Sequence, residues 1–370
     1  GTSSVTTNTS NTTCSGTLQV SSDNFSSCVR MASSPAASNS DKTFTVDPSD
    51  NLSRATTYKI RVTTGVKDSA GNALGSQYEA SSGFTTGGLF VVVGYSGTIL
   101  SSPDGITWTY STWDSQNYGT SKNLSGITYG GSTYVAVGWY STIISSSDGY
   151  TWTERNSGKS WDLSGVTYGN STFVVVGWKG TIFTSSDGSS WEKRTSGTTR
   201  YLNGIAYGNG TFVVVGSLDS LGNATILTSS DGSSWDNRTS GTADWLSGVT
   251  YGNATYVAVG HSGRILTSPD GITWTEQISG TSNNLENVIF ENGSFLAVGY
   301  SGTILTSLDG ITWTARSSGT TKNLIGVAYG NSIYVAVGYS GTILTSPDGI
   351  TWTERDSGKS NYLSGVTFSR

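Results

Sequence analysis

The chain has 370 residues, of which 12% are charged, with a formal net charge of −5. Binding nucleic acid needs clustered Lys and Arg to displace counterions, and the sequence has no basic stripe; no apolar run approaches the ~18 residues of a membrane helix. Aromatics make up 11% and include twelve Trp, enough apolar surface for packed cores, so the composition is not that of a disordered chain.

Residues 1–87 open on Gly1 rather than Met, and the only Met is Met31, so a processed product or an excised fragment is expected. Cys14 and Cys28 are the only cysteines and lie in one small segment without a CxxC or His-rich metal pattern. A disulfide is expected, worth roughly 3 kcal/mol for so short a loop, and with it an extracellular or cell-surface location. Eleven Asn-x-Ser/Thr sequons, Asn170, Asn209, Asn253 and Asn292 among them, fit a secreted surface but also follow from the Ser/Thr/Asn-rich composition. In "DSAGN", Asp68 and Asn72 read as a hairpin turn, because a hard cation wants several more oxygen ligands. The stretch "TTYKIRVTTGVKDSAGNAL" with the closing "GFTT" resembles a bacterial Ig-like domain, of the kind strung along secreted and surface proteins. The resemblance implies a small N-terminal β-sandwich that lacks its first strands. Either a cleavage or a neighbouring molecule accounts for them, and an incomplete sandwich exposes an edge open to strand addition.

From residue 88 to residue 370 the sequence repeats. Aligned on Trp108, Trp152, Trp191, Trp235, Trp274, Trp313 and Trp352, the copies are 39 or 44 residues apart. Strand-rich periods of about 40 residues indicate a propeller. Each copy predicts four short strands, "LSGVTY", "TYVAVG", "TILTS" and "ITWTER", separated by the turns "GNS", "YSG" and "PDG". Small pairs in the first strand (Ser125-Gly126, Ser164-Gly165, Ser247-Gly248, Ser364-Gly365) put that strand at a crowded axis. The Trp falls on the outermost strand, where it covers the junction between neighbours. The array begins with strands two to four and ends on "YLSGVTFSR", strand one alone. Together they complete one blade, which predicts an all-β, seven-bladed ring whose C-terminal strand closes the first blade and leaves no unpaired edge.

The turn residues Ser102, Asp104, Gly105, Thr107 and Trp108, repeated as Ser346, Asp348, Gly349, Thr351 and Trp352, resemble the Asp-box of BNR, sialidase-like and photosystem-assembly-factor-like propellers. The spacing from Asp to Trp is one residue shorter than in the usual box. The resemblance implies that Asp104, Asp148, Asp187, Asp231, Asp270, Asp309 and Asp348 are structural, each capping its own turn while Gly takes a positive φ. It also raises sialidase-type hydrolysis, which would need an arginine cluster, a tyrosine with a paired glutamate, and an aspartate acid/base. Arg155, Arg194, Arg238, Arg316 and Arg355, like Glu154, Glu276 and Glu354, all follow the repeat Trp, and repetition marks a structural position. No carboxylate pair breaks the symmetry, so no catalytic residue, metal or cofactor is expected.

The copies diverge in the loops after strands two and four, which share one face of the disc. There stand Trp139, Trp161, Trp178, Tyr201, Trp245, His261, Tyr300, Tyr339 and Tyr362, with Asn123, Asp162, Asn284 and Asn323 just before strand one and Trp113 and Tyr118 in a longer loop. Aromatic rings among amides suit stacking on sugars; the same residues serve equally as packing surface for another subunit. The sequence therefore predicts a non-catalytic, secreted or cell-surface structural or adhesive protein, self-assembling into a homo-oligomer, filament or coat. A carbohydrate-binding propeller is the alternative, and a glycoside hydrolase is a third.

Overall fold

The computed structural model describes residues 5–38, 43–50, 52, 56–68, 70–81, 83–85, 87–111, 122–155 and 161–369. Trp113 and Tyr118 lie outside them. The chain divides into two compact units, residues 1–88 and 89–369.

In the first unit, Thr57–Val62 is the central strand, paired antiparallel with Leu18–Ser21, Tyr78–Glu79 and Phe84–Thr85. Ala36–Ser38 and Thr43–Thr45 form a separate hairpin. The core is small: Val20, Met31 and Tyr58 are buried, with Val29, Val46, Leu52 and Ile60 packed around them. Cys14 and Cys28 are joined by a disulfide with their Cα atoms 4.9 Å apart, a cross-link that supplements a core of this size. The Arg61 guanidinium lies over the Phe25 ring at 3.6 Å.

The second unit contains seven four-stranded antiparallel sheets among the described residues, giving a propeller-like fold. Leu324–Gly330, Ile333–Gly338, Ile343–Ser346 and Thr353–Arg355 form one sheet in chain order, and five others repeat that order. In the remaining sheet Leu363–Phe368 pairs with Phe90–Gly94, which pairs with Ile99–Ser102 and then Thr109–Tyr110. The chain's last strand thus completes the sheet that its own first strands begin. The first strands touch their neighbours in sequence, and Leu363–Phe368 also touches Leu124–Gly130, so the ring is closed.

The strand sequences explain the stacking. "TYVAVG" is buried along nearly its whole length, because each sheet has a neighbour on both faces and both side-chain sets enter a core. Seven apolar clusters result, each made by two successive sheets. The junction between the closing sheet and its predecessor holds Phe90, Val92, Leu100, Leu363 and Val366 against Val335, Val337 and Ile343. The repeat Trp sits one residue ahead of the outer strand and packs on these clusters, as Trp352 does beside Tyr334.

In every first strand the pairing register shifts between the Leu and the second residue after it, as at Leu285/Asn287 and Leu363/Gly365. Such a bulge re-aims the extra residue. Removing residues 362–370 strips Phe90–Gly94 of one of its two hydrogen-bonded partners and opens the last cluster. The truncated chain is expected to lose its cooperative thermal transition and to associate through the bared edge, read by circular dichroism and size-exclusion chromatography. A monomer melting within a few degrees of the full chain would show that closure contributes little.

Candidate functional site

Strand two of most sheets ends in glycine and runs into a three-residue turn that begins with an aromatic residue. In Tyr300–Gly302, Ser301 has φ 55° and Gly302 φ +69°. A Cβ on Gly302 would overlap the carbonyl oxygen of Thr320, so only glycine fits both the conformation and the space. The turn holds its first residue at the mouth of the ring.

The nine rings singled out in the sequence fall at this mouth, and Tyr95 joins them. Eight of the nine, with Tyr95, form two arcs of contacting rings. In the first, Trp139 meets Tyr95 edge-on at 5.6 Å, Tyr95 stacks on Tyr362 at 4.3 Å, Tyr362 lies 4.1 Å from Tyr339, and Tyr339 meets Tyr300 at 6.3 Å. In the second, Trp178 stacks on Tyr201 at 4.6 Å, Tyr201 meets Trp245 at 6.2 Å, and Trp245 stacks on His261 at 5.5 Å. Trp161 stands apart, with the Lys179 ammonium 3.8 Å above its ring. Trp139, Trp178 and Trp245 keep 37%, 40% and 38% of their surface exposed, so the rings support one another while still offering a face to a partner.

The amides between the rings have a different task from the one their sequence context suggests. Asn123 Oδ1 accepts the Ser96 N–H at 3.0 Å, Asp162 that of Tyr140 at 2.9 Å, Asn284 that of Ser262 at 3.0 Å and Asn323 that of Ser301 at 2.9 Å. Each ties the start of one first strand to the preceding sheet's turn. Their oxygens are thus engaged within the protein.

Behind the mouth lies a channel of about 390 Å³ walled by the first strands. The bulged residues face it, and the glycines after them let the strands approach. A Cβ on Gly248 would meet the Glu286 carbonyl oxygen at 2.9 Å. One sheet departs from the pattern: "LENVIF" replaces "LSGVTY", putting Glu286 and Asn287 where others have Ser and Gly. Glu286 lines the channel with Trp245, His261 and Tyr300. Sequence reasoning passed over it. The signal was there, a carboxylate at a position that is otherwise small or uncharged on the innermost strand.

Burial pushes the Glu286 carboxyl up from 4.5 to about 7. Burial, hydrogen bonding with Tyr339 and, further down, the Glu286 charge raise Tyr300 and Tyr362 above the usual phenol range. Burial lowers His261, while the Asp244 charge pulls it back. The arginines that a sialidase would require are elsewhere: Arg155 and Arg355 donate Nε to Ser145 and Thr345 on the adjacent strand, both at 2.8 Å, as Arg194, Arg238 and Arg316 do to their neighbours. Among the described residues, no three His, Cys, Asp or Glu side chains are grouped to hold a metal ion.

On the strand three-to-four turns, Ser307 Oγ donates to Asp309 Oδ1 at 3.0 Å and accepts the Gly310 N–H at 2.9 Å. Asp309 Oδ1 accepts the N–H groups of Ile311 and Thr312, both at 2.8 Å, and the other six aspartates repeat the arrangement.

Residues 2–86 match the bacterial Ig-like domain family and residues 277–364 match the DUF6242 beta propeller domain family. No curated protein matches the chain. Among solved structures, the chain is similar to one described as YCF48 bound to D1 peptide, with 17% identity and a TM-score of 0.56 over 70% of this chain and 87% of that one. It is likewise similar to YCF48 from Cyanidioschyzon merolae, with 18% identity and a TM-score of 0.52 over 72% and 91%. At these identities the likeness shows a propeller fold, and the family match adds an Ig-like domain ahead of it.

The shifted carboxyls give stability two opposite pH dependences. Hydrogen bonds from Thr312 and Ile311 hold Asp309 at about 2, below its usual 3.8, and the other six turn aspartates shift the same way, Asp148 despite an opposing burial effect. A lowered folded pKa stabilises above the unfolded value and is lost as pH falls through the folded one. The propeller is therefore expected to weaken between about pH 4 and pH 2, and replacing Asp309 with Asn to flatten that slope, read by thermal melts. Glu286 has the opposite sign: the folded chain binds the extra proton, so its cost is absent below the unfolded pKa and is complete above pH 7. Glu286→Gln is expected to stabilise the protein at pH 8 by roughly 1–2 kcal/mol, after discounting for channel water, with the gain shrinking toward pH 4. A gain independent of pH would mean the carboxylate is solvated as at an open surface.

Proposed function

We propose that the chain is a non-catalytic interaction protein of the cell surface or extracellular space, a seven-bladed propeller carried behind an Ig-like domain. Another protein docks on the aromatic mouth, and a second copy of this chain is one such partner. The short Ser-x-Asp-Gly turns are then structural variants of the Asp-box. The carrying observation is the ring of mutually supported, half-exposed aromatic side chains on one face. Rigid rings lose little entropy on binding and dominate interface energetics.

Asn123, Asp162, Asn284 and Asn323 each already spend one acceptor site within the fold, which leaves fewer for sugar hydroxyls and favours a protein partner. The disulfide supports an oxidising compartment. YCF48, of similar fold, is described as bound to a peptide, which fits a peptide-docking role for the present mouth.

The test compares wild type with the double variant Trp178→Ala and Tyr339→Ala by cross-linking mass spectrometry on native cell-surface material and by sedimentation of the purified protein. Cross-links from the mouth loops to a protein, or self-association, reduced about tenfold in the variant, support the reading. Glycan-array binding abolished by the same variant, without protein cross-links at the mouth, would replace it with the lectin reading. Turnover of a glycoside would overturn non-catalysis.

A further inference from the structure

The channel mouth contains an acidic group with no ion pair among the described residues. Glu286 is the bulged residue of its strand and faces the cavity shared with Trp245, His261 and Tyr300. No hydrogen bond or ion pair to it is found among the described residues. Four cations of this face are engaged with other groups. Lys122 pairs with Glu154 at 3.0 Å, Lys322 with Glu354 at 3.3 Å, Arg264 with Asp244 and Glu276, and Lys179 with the Trp161 ring. His261 is held below its usual pKa and carries little charge at neutral pH.

The position is costly to fill with an acid. The equivalent residues are Ser125, Ser164, Asn203, Ser247, Ile325 and Ser364, none of them charged. A carboxylate in a narrow, partly dehydrated channel disfavours its own ionisation, and an incoming positive group relieves that without the need for a proton. The surroundings suit such a group. Trp245 and Tyr300 line the same channel as the carboxylate, and aromatic rings with an acid form the usual environment for an organic cation. The face already holds one of its own cations this way, at Lys179 and Trp161. Among the described residues Glu286 is not grouped with two further His, Cys, Asp or Glu side chains, as a bound metal ion would want.

We propose that the channel mouth binds a cationic side chain, a lysine ammonium or an arginine guanidinium, which a partner protein inserts between Trp245 and Tyr300 to reach Glu286. The proposal rests on the mouth being a protein-docking face and names the group read there. The cavity of about 390 Å³ accommodates an extended side chain but not a folded segment. Specificity then comes from the one sheet that departs from the repeat, while the remaining rings supply contact area common to any partner.

The experiment uses the full chain and acetylated, amidated pentaglycine peptides whose central residue is Lys, Arg or norleucine, with choline as a free-cation probe. Binding is followed by Trp fluorescence and calorimetry on wild type, Glu286→Gln and Trp245→Ala. The Lys or Arg peptide is expected to bind, the norleucine peptide not, and each variant to weaken binding at least about tenfold. Because Glu286→Gln is expected to fold at least as well as wild type, a loss of binding there is not a loss of structure. Choline binding comparable to that of the peptides would overturn the side-chain assignment in favour of a free organic cation. No binding by any cation, or binding indifferent to Glu286→Gln, would overturn the inference. If the Trp178→Ala, Tyr339→Ala variant still loses cross-links to a protein, the docking role survives that failure; if it does not, both fall.

Discussion

The pairing of Leu363–Phe368 with Phe90–Gly94 is the contact on which the second unit depends. Every other sheet is made from one continuous stretch of chain and could form by local hairpins. This one alone requires residues some 270 positions apart to meet, as Ser369 Oγ accepting the Leu89 N–H at 2.8 Å illustrates over a separation of 280. Until it forms, both ends of the array carry unpaired backbone groups and a half-built apolar junction. Once it forms, no sheet lacks a neighbour, and the strands buried on both faces are satisfied throughout. The constraint is therefore topological and energetic together. It couples the stability of seven otherwise local units, since opening any junction breaks the ring.

Closure also dictates what the inner wall can be. Seven first strands converging on one axis leave room for glycine and small polar residues, and the recurring bulge turns one residue per strand into the channel. At Gly248 the neighbouring backbone already stands at contact distance. Under that pressure a long acidic side chain such as Glu286 is an expensive substitution, and it displaces a residue that fits. The mouth obeys a looser rule. Its turns are fixed in backbone shape by paired positive-φ residues, yet the first side chain of each turn is free to differ, and that freedom is where Tyr, Trp and His appear.

Much of this architecture can be read directly from the chain. The 39- or 44-residue period, the four strand patterns and the split copy at the two ends all follow from local sequence, because each sheet is locally encoded. The aromatic positions are legible for the same reason. The roles of Asn123, Asp162, Asn284 and Asn323 are not, since their partners lie on the preceding sheet, 27 residues away for Asn123 and 22 for the others. The arginines after the repeat Trp read as a structural position, but their partner, the hydroxyl of a Ser or Thr ten residues back, is seen only in the structure. Both cases turn on through-space register, which a pattern of types does not contain. Glu286 is a third kind of omission: the departure was visible, but its weight depends on knowing that the position faces the axis.

A repeat protein separates structure from function more cleanly than most folds do. A residue present in every copy must satisfy seven similar environments, and that requirement alone accounts for the turn aspartates, the Trp ahead of the outer strand and the glycine ending strand two. A residue present in one copy has no such explanation. Where it also strains its surroundings, as an unpaired acid in a narrow channel does, the fold gains nothing from it and some other process must. Glu286 meets both conditions, and it shares the channel with His261 and Tyr300, where one end of each arc of rings lies. The same reasoning ranks the rest of the face. Tyr201 and Tyr362 are held by their neighbours and can be understood as scaffold for the mouth, whereas the exposed faces of Trp178 and Trp245 remain unaccounted for by the fold and belong with Glu286 to whatever the mouth receives.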